Sequence, residues 1–230
     1  VVNGDCKAAN AAAAGPIIPA KDDLICYFAC NEAFNLLAVD AAQSDVQAIH
    51  SGHAPSLIDA PFGKALACFG DGDEDIFRHG LDLGANDFTI AFWVNVYSYF
   101  FRSTKEREEE RGLVVYGYRP KMSIFINDAG KMTLEMPYAD ESSMSAAAVL
   151  PRRKWTHLAF VVDRDSNEGC GIYMNGQKQP LTSVNMAASA GHVYDMDHGF
   201  MFGRSLVGHL DEFAVYAKAL SAGEVKAMIG

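Results

Sequence analysis

The chain has 230 residues, half of them hydrophobic, and a formal net charge of −10 at pH 7. A chain of this length can bury a full core without disulfide or metal staples. The acidic balance argues against nucleic acid as a partner, because binding to a phosphate backbone depends on an excess of Lys and Arg. No uninterrupted apolar run is long enough to predict a membrane-spanning helix.

The N-terminal stretch, residues 1–20, has four consecutive alanines and a Gly-Pro break but no core-forming periodicity, so we predict an arm or linker there. A single domain is expected over residues 21–230. Its first strand is Asp22–Cys30, where alternation places Cys26 and Cys30 on one face as small buried hydrophobes. Residues 33–60 are poor in strand signals.

The next strand is predicted at Phe62–Gly70, followed by an acidic rim turn at Asp71–Asp75. This turn is not an EF-hand loop, because Ile76 stands where the sharp bend requires glycine. Phe88–Tyr97 alternates with apolar residues on both faces, which predicts a strand in the middle of a sandwich. The mixed charges of Arg102–Arg111 predict a solvated loop.

Three short strands are predicted at Gly112–Tyr118, Met122–Asn127 and Lys131–Met136, separated by turn residues. The side chains of Asp140–Ala148 are mostly small or polar, and we expect a loop there. Pro180–Asp197, rich in alanine, serine and methionine, is expected to be a flexible segment.

A hairpin with two half-buried strands is predicted at Trp155–Gly176. In its first arm, Trp155, His157, Ala159 and Val161 point one way, and the intervening residues point the other way. The pair Asn175-Gly176 tolerates positive φ and predicts a second tight reversal.

The chain closes with two predicted strands, Phe200–Gly203 and Gly208–Tyr216, and a short helix at Ala219–Met228. Ser221 is the expected N-cap of this helix, and Glu224 three residues later completes a capping box.

Three stretches together resemble the laminin-G-like, concanavalin-A-like jelly-roll family, which includes the pentraxins. They are the hairpin Trp155–Gly176, the strand Asp87–Val96 (DFTIAFWVNV) and the closing Phe202–Met228, and Gly63–Leu66 fits the same order. The resemblance implies an all-β, two-sheet antiparallel jelly-roll sandwich with a short C-terminal helix.

The same resemblance implies one calcium ion near the sandwich rim. Position by position it points to Asp40 and Asp211, with Asn31 and Glu32 as weaker candidates. Cys30 departs from the pattern, because it stands where the family often has aspartate. The alternative is that Asp211 only accepts hydrogen bonds from loop amides and pins the end of the sandwich. A sequence can reveal only part of the six to eight oxygen ligands that calcium prefers.

Catalysis lacks support in the sequence. A glycosidase needs two carboxylates at a fixed separation, and no such array is present; Asp211 and Glu212 are adjacent and are expected to face opposite sides. Neither a Gly-x-Ser-x-Gly elbow nor a His-Glu-x-x-His helix occurs. We therefore expect a protein that is not an enzyme.

Two functions remain open. The first is a non-catalytic binding module for glycan recognition or adhesion at a cell or particle surface, in which Tyr97, Tyr99, Tyr138 and Tyr194 contact a sugar or a surface protein. The second is a decoration or appendage subunit of a larger assembly such as a virus capsid, attached through the N-terminal arm and sheet edges.

The five cysteines bear on the choice between these functions. They are odd in number and show no Cys-x-x-Cys spacing, so they predict neither a complete disulfide framework nor a zinc site, and a single bridge stays open. Glycosylation triplets and a signal peptide are also missing from the sequence. This combination favours assembly inside a cell, as in a virion, over classical secretion.

Overall fold

The computed structural model describes residues 17–31, 48–52, 56–70, 74–78, 81–99, 112–117, 122–136, 142–196, 200–203 and 205–230. Strands dominate these residues and are numbered in chain order. They are β1 (Leu24–Phe28), β2 (Ala48–Gly52), β3 (Ser56–Ala60), β4 (Gly63–Phe69), β5 (Glu74–Arg78), β6 (Leu81–Gly84), β7 (Phe88–Ser98), β8 (Gly112–Gly117), β9 (Ser123–Ile126), β10 (Lys131–Met136), β11 (Ser142–Val149), β12 (Thr156–Val162), β13 (Gly171–Met174), β14 (Gln177–Lys178), β15 (Leu181–Val184), β16 (Tyr194–Met196), β17 (Phe200–Phe202) and β18 (Val207–Tyr216). The α-helix α1 (Ala222–Ala227) follows, and 3-10 turns lie at Lys21–Asp23 and Ala187–Ser189.

Two antiparallel sheets make up the sandwich, as the resemblance implies. The first sheet has the order β14-β13-β12-β7-β18-β4-β3, and β1 pairs with the C-terminal half of β18. The second sheet has the order β15-β11-β10-β9-β8-β17-β5-β2. A two-stranded ribbon of β6 and β16 accompanies them.

The core lies between the inner faces of the two sheets. Strand β7 contributes the alternate residues Phe88 to Val96 to this core, and β12 contributes Leu158, Phe160 and Val162. The predicted central position of β7 is confirmed, since it pairs with β12 on one side and β18 on the other. The prediction that both hairpin strands are half buried is wrong for β12, which is buried at all seven positions.

Half of the first sheet's outer face is also covered. Helix α1 places Val225 there, and the chain segment before β1 adds Ile18 and Ala20. These side chains pack on Ala91 of β7 and Tyr216 of β18 within a second, smaller apolar cluster. The described end of the predicted N-terminal arm therefore packs on the domain itself, which explains why β12 has no exposed side.

Both predicted local motifs of the C-terminal half are confirmed. Asn175 and Gly176 adopt positive φ values of 48° and 73°, and Asn175 Oδ1 accepts the backbone N–H of His157 at 3.0 Å. Ser221 caps α1, with the reciprocal capping-box bonds to Glu224 present. The Asn-Gly reversal thus ties β13 back to the beginning of β12.

Several predicted loops are strands. β2 and β3 lie within residues 33–60, β5 begins in the predicted acidic turn, β11 occupies most of Asp140–Ala148, and β15 and β16 lie in the predicted flexible segment. Strand β11 has few large apolar residues, yet it pairs with β10 and β15 and buries Ser142, Met144 and Ala146. Its position between two partners in the sheet determines its conformation.

The cysteines that the structure describes, Cys26, Cys30, Cys68 and Cys170, are buried, and Cys30 and Cys170 are free thiols. The predicted burial of Cys26 and Cys30 is confirmed, and Cys6 lies outside the described residues. Burial raises the pKa of the Cys170 thiol to about 11, so it is protonated at neutral pH. Among the described helices, none has the length and apolar character needed to cross a bilayer.

Candidate functional site

The other half of the first sheet's outer face carries a group of aromatic side chains. Three adjacent strands supply it, since His157 on β12 pairs with Trp93 on β7 and His209 on β18 pairs with Asn95 on β7. Alternation along each strand brings further outward-facing residues into the same area. We call this area the aromatic face, defined by Trp93, Tyr97, Trp155, His157 and His209.

The rings of the aromatic face contact one another. Ring centroids are 5.5 Å apart for Trp93 and His157 and 4.8 Å apart for Tyr97 and His209, both in edge-to-face geometry. The Trp155 ring lies 6.2 Å from His209. Phe62, in the turn between β3 and β4, lies 5.1 Å from Trp93 at the edge of the group. These contacts fix the orientation of the rings before any ligand arrives.

The aromatic face borders a cleft of about 390 Å³ lined by Asn95, Tyr97 and Arg153. The Tyr97 side is open, because this residue is 40% exposed. Asn95 Oδ1 is buried and has no hydrogen-bond partner in the part of the chain that the structure describes. The cleft thus combines an apolar ring surface, an amide group and a guanidinium, which is the composition of a small-molecule site.

Both histidines of the aromatic face are neutral at pH 7. Burial lowers the pKa of His157 to about 4 and also lowers the pKa of His209. The His209 Nδ1 atom lies 3.1 Å from the Tyr97 hydroxyl, close enough for a hydrogen bond. The rings consequently form an uncharged surface, and the Arg153 side chain lies beside it at the cleft.

Glu212 lies next to the aromatic face, at its border with the covered half of the first sheet's outer face. It lines a small cavity together with Trp93, His157 and Tyr216. Its carboxyl group is buried, and its Oε2 atom has no partner among the described residues. Burial raises the pKa of Glu212 to about 8, so this group is largely uncharged at neutral pH.

The predicted calcium ligands Asn31 and Asp211 are only partly free to bind a cation. Asn31 Oδ1 accepts the backbone N–H of Lys64 at 2.7 Å. Asp211 is fully buried; its Oδ1 accepts the Glu212 N–H at 2.9 Å, whereas Oδ2 has no partner among the described residues. Burial raises the pKa of Asp211 to about 7.

One buried carboxylate oxygen without a donor fits a cation ligand, but the described residues contain no group of three His, Cys, Asp or Glu side chains suited to a metal. Asp40 and Glu32 lie outside the described residues. The calcium site stays a prediction. Regular alternation is interrupted here, because Glu212 has a φ of 53° and the pairing with β7 shifts register between Asp211 and Ala214. The expectation that Asp211 and Glu212 face opposite sides stays a prediction.

Of the four predicted ligand tyrosines, the structure places Tyr97 at the cleft. Tyr99 has a packing position, because its hydroxyl donates to the Leu150 carbonyl, and its ring lies against Gly130 and 5.4 Å below the Arg152 guanidinium. Tyr194 pairs in β16 with Gly84 of β6. Tyr138 lies outside the described residues.

Sequence reasoning missed most of the aromatic face. The alternation predicts Trp155 and His157 on one face of their strand, which is confirmed, but it does not single out Trp93, Asn95, Arg153 and His209 as site residues. Each belongs to an outward-facing position of a strand or to the turn beside it. Alternation within each strand shows which residues share a face. The strand order β12, β7 and β18, which brings these residues together, cannot be read from the sequence.

Comparison with known proteins identifies the family. A laminin-G-type profile described as the concanavalin A-like lectin/glucanases superfamily matches residues 70–226. That match covers more than half of the chain, and the chain belongs to this superfamily. No curated protein matches the chain.

Solved structures similar to this chain include binding domains. The binding domain of Paraclostridial Mosquitocidal Protein 1 superposes with a TM-score of 0.68 at 18% identity, over 91% of this chain and 52% of that one. Domain 4 of AbnA, a GH43 extracellular arabinanase from Geobacillus stearothermophilus, in complex with arabinotriose, gives 0.63 at 17% identity, over 90% of this chain and 98% of that one.

A structure of botulinum neurotoxin type C, described as dependent on two ganglioside molecules for cell entry, gives a TM-score of 0.66 at 14% identity, over 91% of this chain and 51% of that one. This chain thus spans about half the length of that structure and of the mosquitocidal binding domain. At these identities the likenesses show the fold alone.

Proposed function

We propose that the chain is a non-catalytic binding module that holds a carbohydrate against the aromatic face. The observation that carries this proposal is the exposed Tyr97 ring beside the cleft that Asn95 and Arg153 complete. A sugar ring has an apolar side of C–H groups, which loses contact with water when it stacks on an aromatic ring. Its hydroxyl groups then reach the amide and guanidinium in the cleft.

The similar structures support the same class of function. The arabinanase domain is a complex with arabinotriose, and the neurotoxin interacts with gangliosides. These are properties of those proteins, and jelly rolls host many functions. The proposal for this chain therefore rests on its own cleft, with the comparisons as support.

The carboxyl groups nearest the aromatic face support a non-catalytic assignment. Asp211 and Glu212 are buried, at 0% and 4% exposure, and burial raises the pKa values of both. Glycoside hydrolysis requires two carboxyl groups on opposite sides of an accessible glycosidic bond. A sugar stacked on Tyr97 would not meet such a pair in the described part of the chain.

Tyr97→Ala tests the proposal. A glycan array identifies the sugar, and calorimetry then measures its affinity for the wild type and variants. We expect Tyr97→Ala to raise Kd at least tenfold, equivalent to about 1.4 kcal/mol, through loss of the stacking surface. Tyr97→Phe should retain most of the affinity because it keeps the ring. Val193→Ala is the control, since Val193 is an exposed apolar residue, at 68% exposure, near Arg164 at the other end of β7.

Retention of full affinity by Tyr97→Ala would contradict the assignment of the site, and absence of affinity for every glycan would contradict the function. A capsid or other appendage role has no support in the similar structures and stays a prediction, as does a location at a cell, particle or virion surface. Adhesion is the consequence that we propose if the bound glycan belongs to a surface.

A further inference from the structure

Three consecutive cations stand beside the aromatic face. Arg152, Arg153 and Lys154 form the turn that leads into β12, and all three are exposed. We call them the basic turn. They are conspicuous because the chain as a whole carries a net charge of −10. A local cluster of positive charges on a protein with a negative net charge makes the electrostatic potential positive at that place.

The backbone fixes the basic turn against the cleft. Arg152 forms an isolated parallel bridge with Val96 of β7, and the Arg153 N–H donates to the Val96 carbonyl at 2.7 Å. Arg153 has a φ of 57°, in the left-handed region that a non-glycine residue adopts only where its surroundings require it. Val96 lies between Asn95 and Tyr97, so these bonds place Arg153 beside both cleft residues.

The charge of Arg153 is not neutralised by the described protein. Ion pairs between described residues involve Lys64 and Lys218, and none involves the basic turn. The Arg152 guanidinium already lies over the Tyr99 ring, at 5.4 Å from its centroid. Arg153 therefore remains as the guanidinium that lines the cleft with its charge available to a ligand.

Guanidinium geometry suits a specific kind of group. Arg presents paired N–H donors that match the two oxygens of a carboxylate or of a sulfate ester. Asn95 lines the same cleft and adds a polar amide group to it. The Tyr97 ring is the third part of the cleft lining and provides the stacking surface. A neutral sugar would leave the exposed Arg153 charge to water, whereas an anionic group can pair with it.

We infer that the site selects an anionic sugar, one that carries a carboxylate or a sulfate ester, with the anion on Arg153 and the sugar ring on Tyr97. This inference rests on the proposed carbohydrate function and specifies its ligand class. Lys154 adds to the attraction without a fixed contact. The interaction is partly exposed, so salt weakens it.

The test uses three matched oligosaccharides: a neutral one, the same chain with a carboxylate sugar, and the same chain with a sulfate ester. We expect the wild type to bind an anionic form at least tenfold more tightly than the neutral form, with the preference declining from 50 mM to 500 mM salt. The anionic form that binds more tightly shows whether the site prefers a carboxylate or a sulfate ester.

Arg153→Ala should abolish the preference for the anionic form, because it lowers the affinity for that form more than the affinity for the neutral form. Arg153→Lys should retain part of the preference, because it keeps the charge and loses the paired donors. Lys226→Ala is the matched control, since it removes an exposed cation on α1. Equal loss in Arg153→Ala and Lys226→Ala would overturn the inference.

The outcomes separate this inference from the proposed function. Equal binding of neutral and anionic sugars, with both lost in Tyr97→Ala, would overturn the anionic specificity and leave the carbohydrate site in place. Absence of binding to all three sugars and across the wider glycan array would overturn both. Melting temperatures of all variants confirm that a loss of binding does not reflect unfolding.

Discussion

At the scale of single residues, the aromatic face depends on histidines that burial keeps neutral. His157 is 1% exposed and stacks edge-to-face on Trp93, and its Nδ1 atom has no partner among the described residues. Protonation would place an unpaired charge in an apolar environment, which is costly. The pKa of about 4 expresses this cost.

The pH dependence that His157 contributes has a definite sign. Its pKa falls from 6.5 in the unfolded chain to about 4 in the folded protein, so between these values the unfolded state binds more protons. Stability is therefore fully present above pH 6.5 and decreases as the pH falls toward 4, by about 3 kcal/mol for this group.

His157→Gln should remove this contribution. We expect the difference in unfolding free energy between pH 7 and pH 4 to be smaller in the variant than in the wild type. Urea denaturation at both pH values measures this difference. His192→Gln, at an exposed histidine, is the control substitution. An unchanged pH dependence in His157→Gln would show that His157 is accessible to protons in the folded state.

At the scale of elements, the site exists because β18 approaches β7 closely beside Asn95. A Cβ atom added at Gly208 would lie 2.3 Å from the Asn95 carbonyl oxygen and 3.1 Å from the Val96 Cα. These are backbone atoms, which cannot move aside without separating the strands. Glycine at position 208 thus allows the pairing that brings His209 next to Tyr97.

Gly208→Ala should therefore damage both stability and binding. We expect a loss of about 1–3 kcal/mol in unfolding free energy, as for an overpacked core, together with weaker sugar binding. Gly223→Ala is the control: its Cβ would meet only Ser221 Oγ at 3.9 Å, and alanine in a helix gains up to about 1 kcal/mol over glycine. Wild-type stability in Gly208→Ala would contradict the close approach.

How far the sequence predicted these elements depends on their side chains. Along β7, β12 and β18, large apolar residues recur at alternate positions. The hydrophobic pattern alone therefore predicts these strands. β11 reads SSMSAAAV, and its strand conformation follows from pairing with β10 and β15, which no local pattern shows. The bulge at Glu212 was missed for a related reason, because it arises from the pairing with β7, and pairing is a long-range property.

The site was less predictable than the fold. Tyr97 belongs to an evident aromatic cluster, but its neighbours come from β12, β18 and the basic turn, which lie from about 55 to 112 positions away in the sequence. Two of the four predicted tyrosines illustrate the limit: Tyr97 and Tyr99 are two residues apart, yet β7 ends between them and Tyr99 turns to bond the Leu150 carbonyl.

At the scale of the whole molecule, calcium remains to be tested. An ion that binds only the folded state must stabilise it, so chelation would lower the melting temperature if Asp211 is a calcium ligand. The prediction from the family resemblance is a decrease on adding chelator that excess calcium reverses, and that Asp211→Asn abolishes. An unchanged melting temperature after chelation of the wild type would contradict the calcium site.

The molecule's two tryptophans make the central claim directly measurable. The chain contains only Trp93 and Trp155, and both lie on the aromatic face. Intrinsic tryptophan fluorescence therefore reports on this face alone. We would titrate the wild type with the best sugar from the glycan array and follow the emission and its quenching by acrylamide. The account predicts a saturable change in emission, with the same Kd as calorimetry, and reduced quenching; binding by calorimetry with unaltered emission and quenching would place the sugar elsewhere and contradict it.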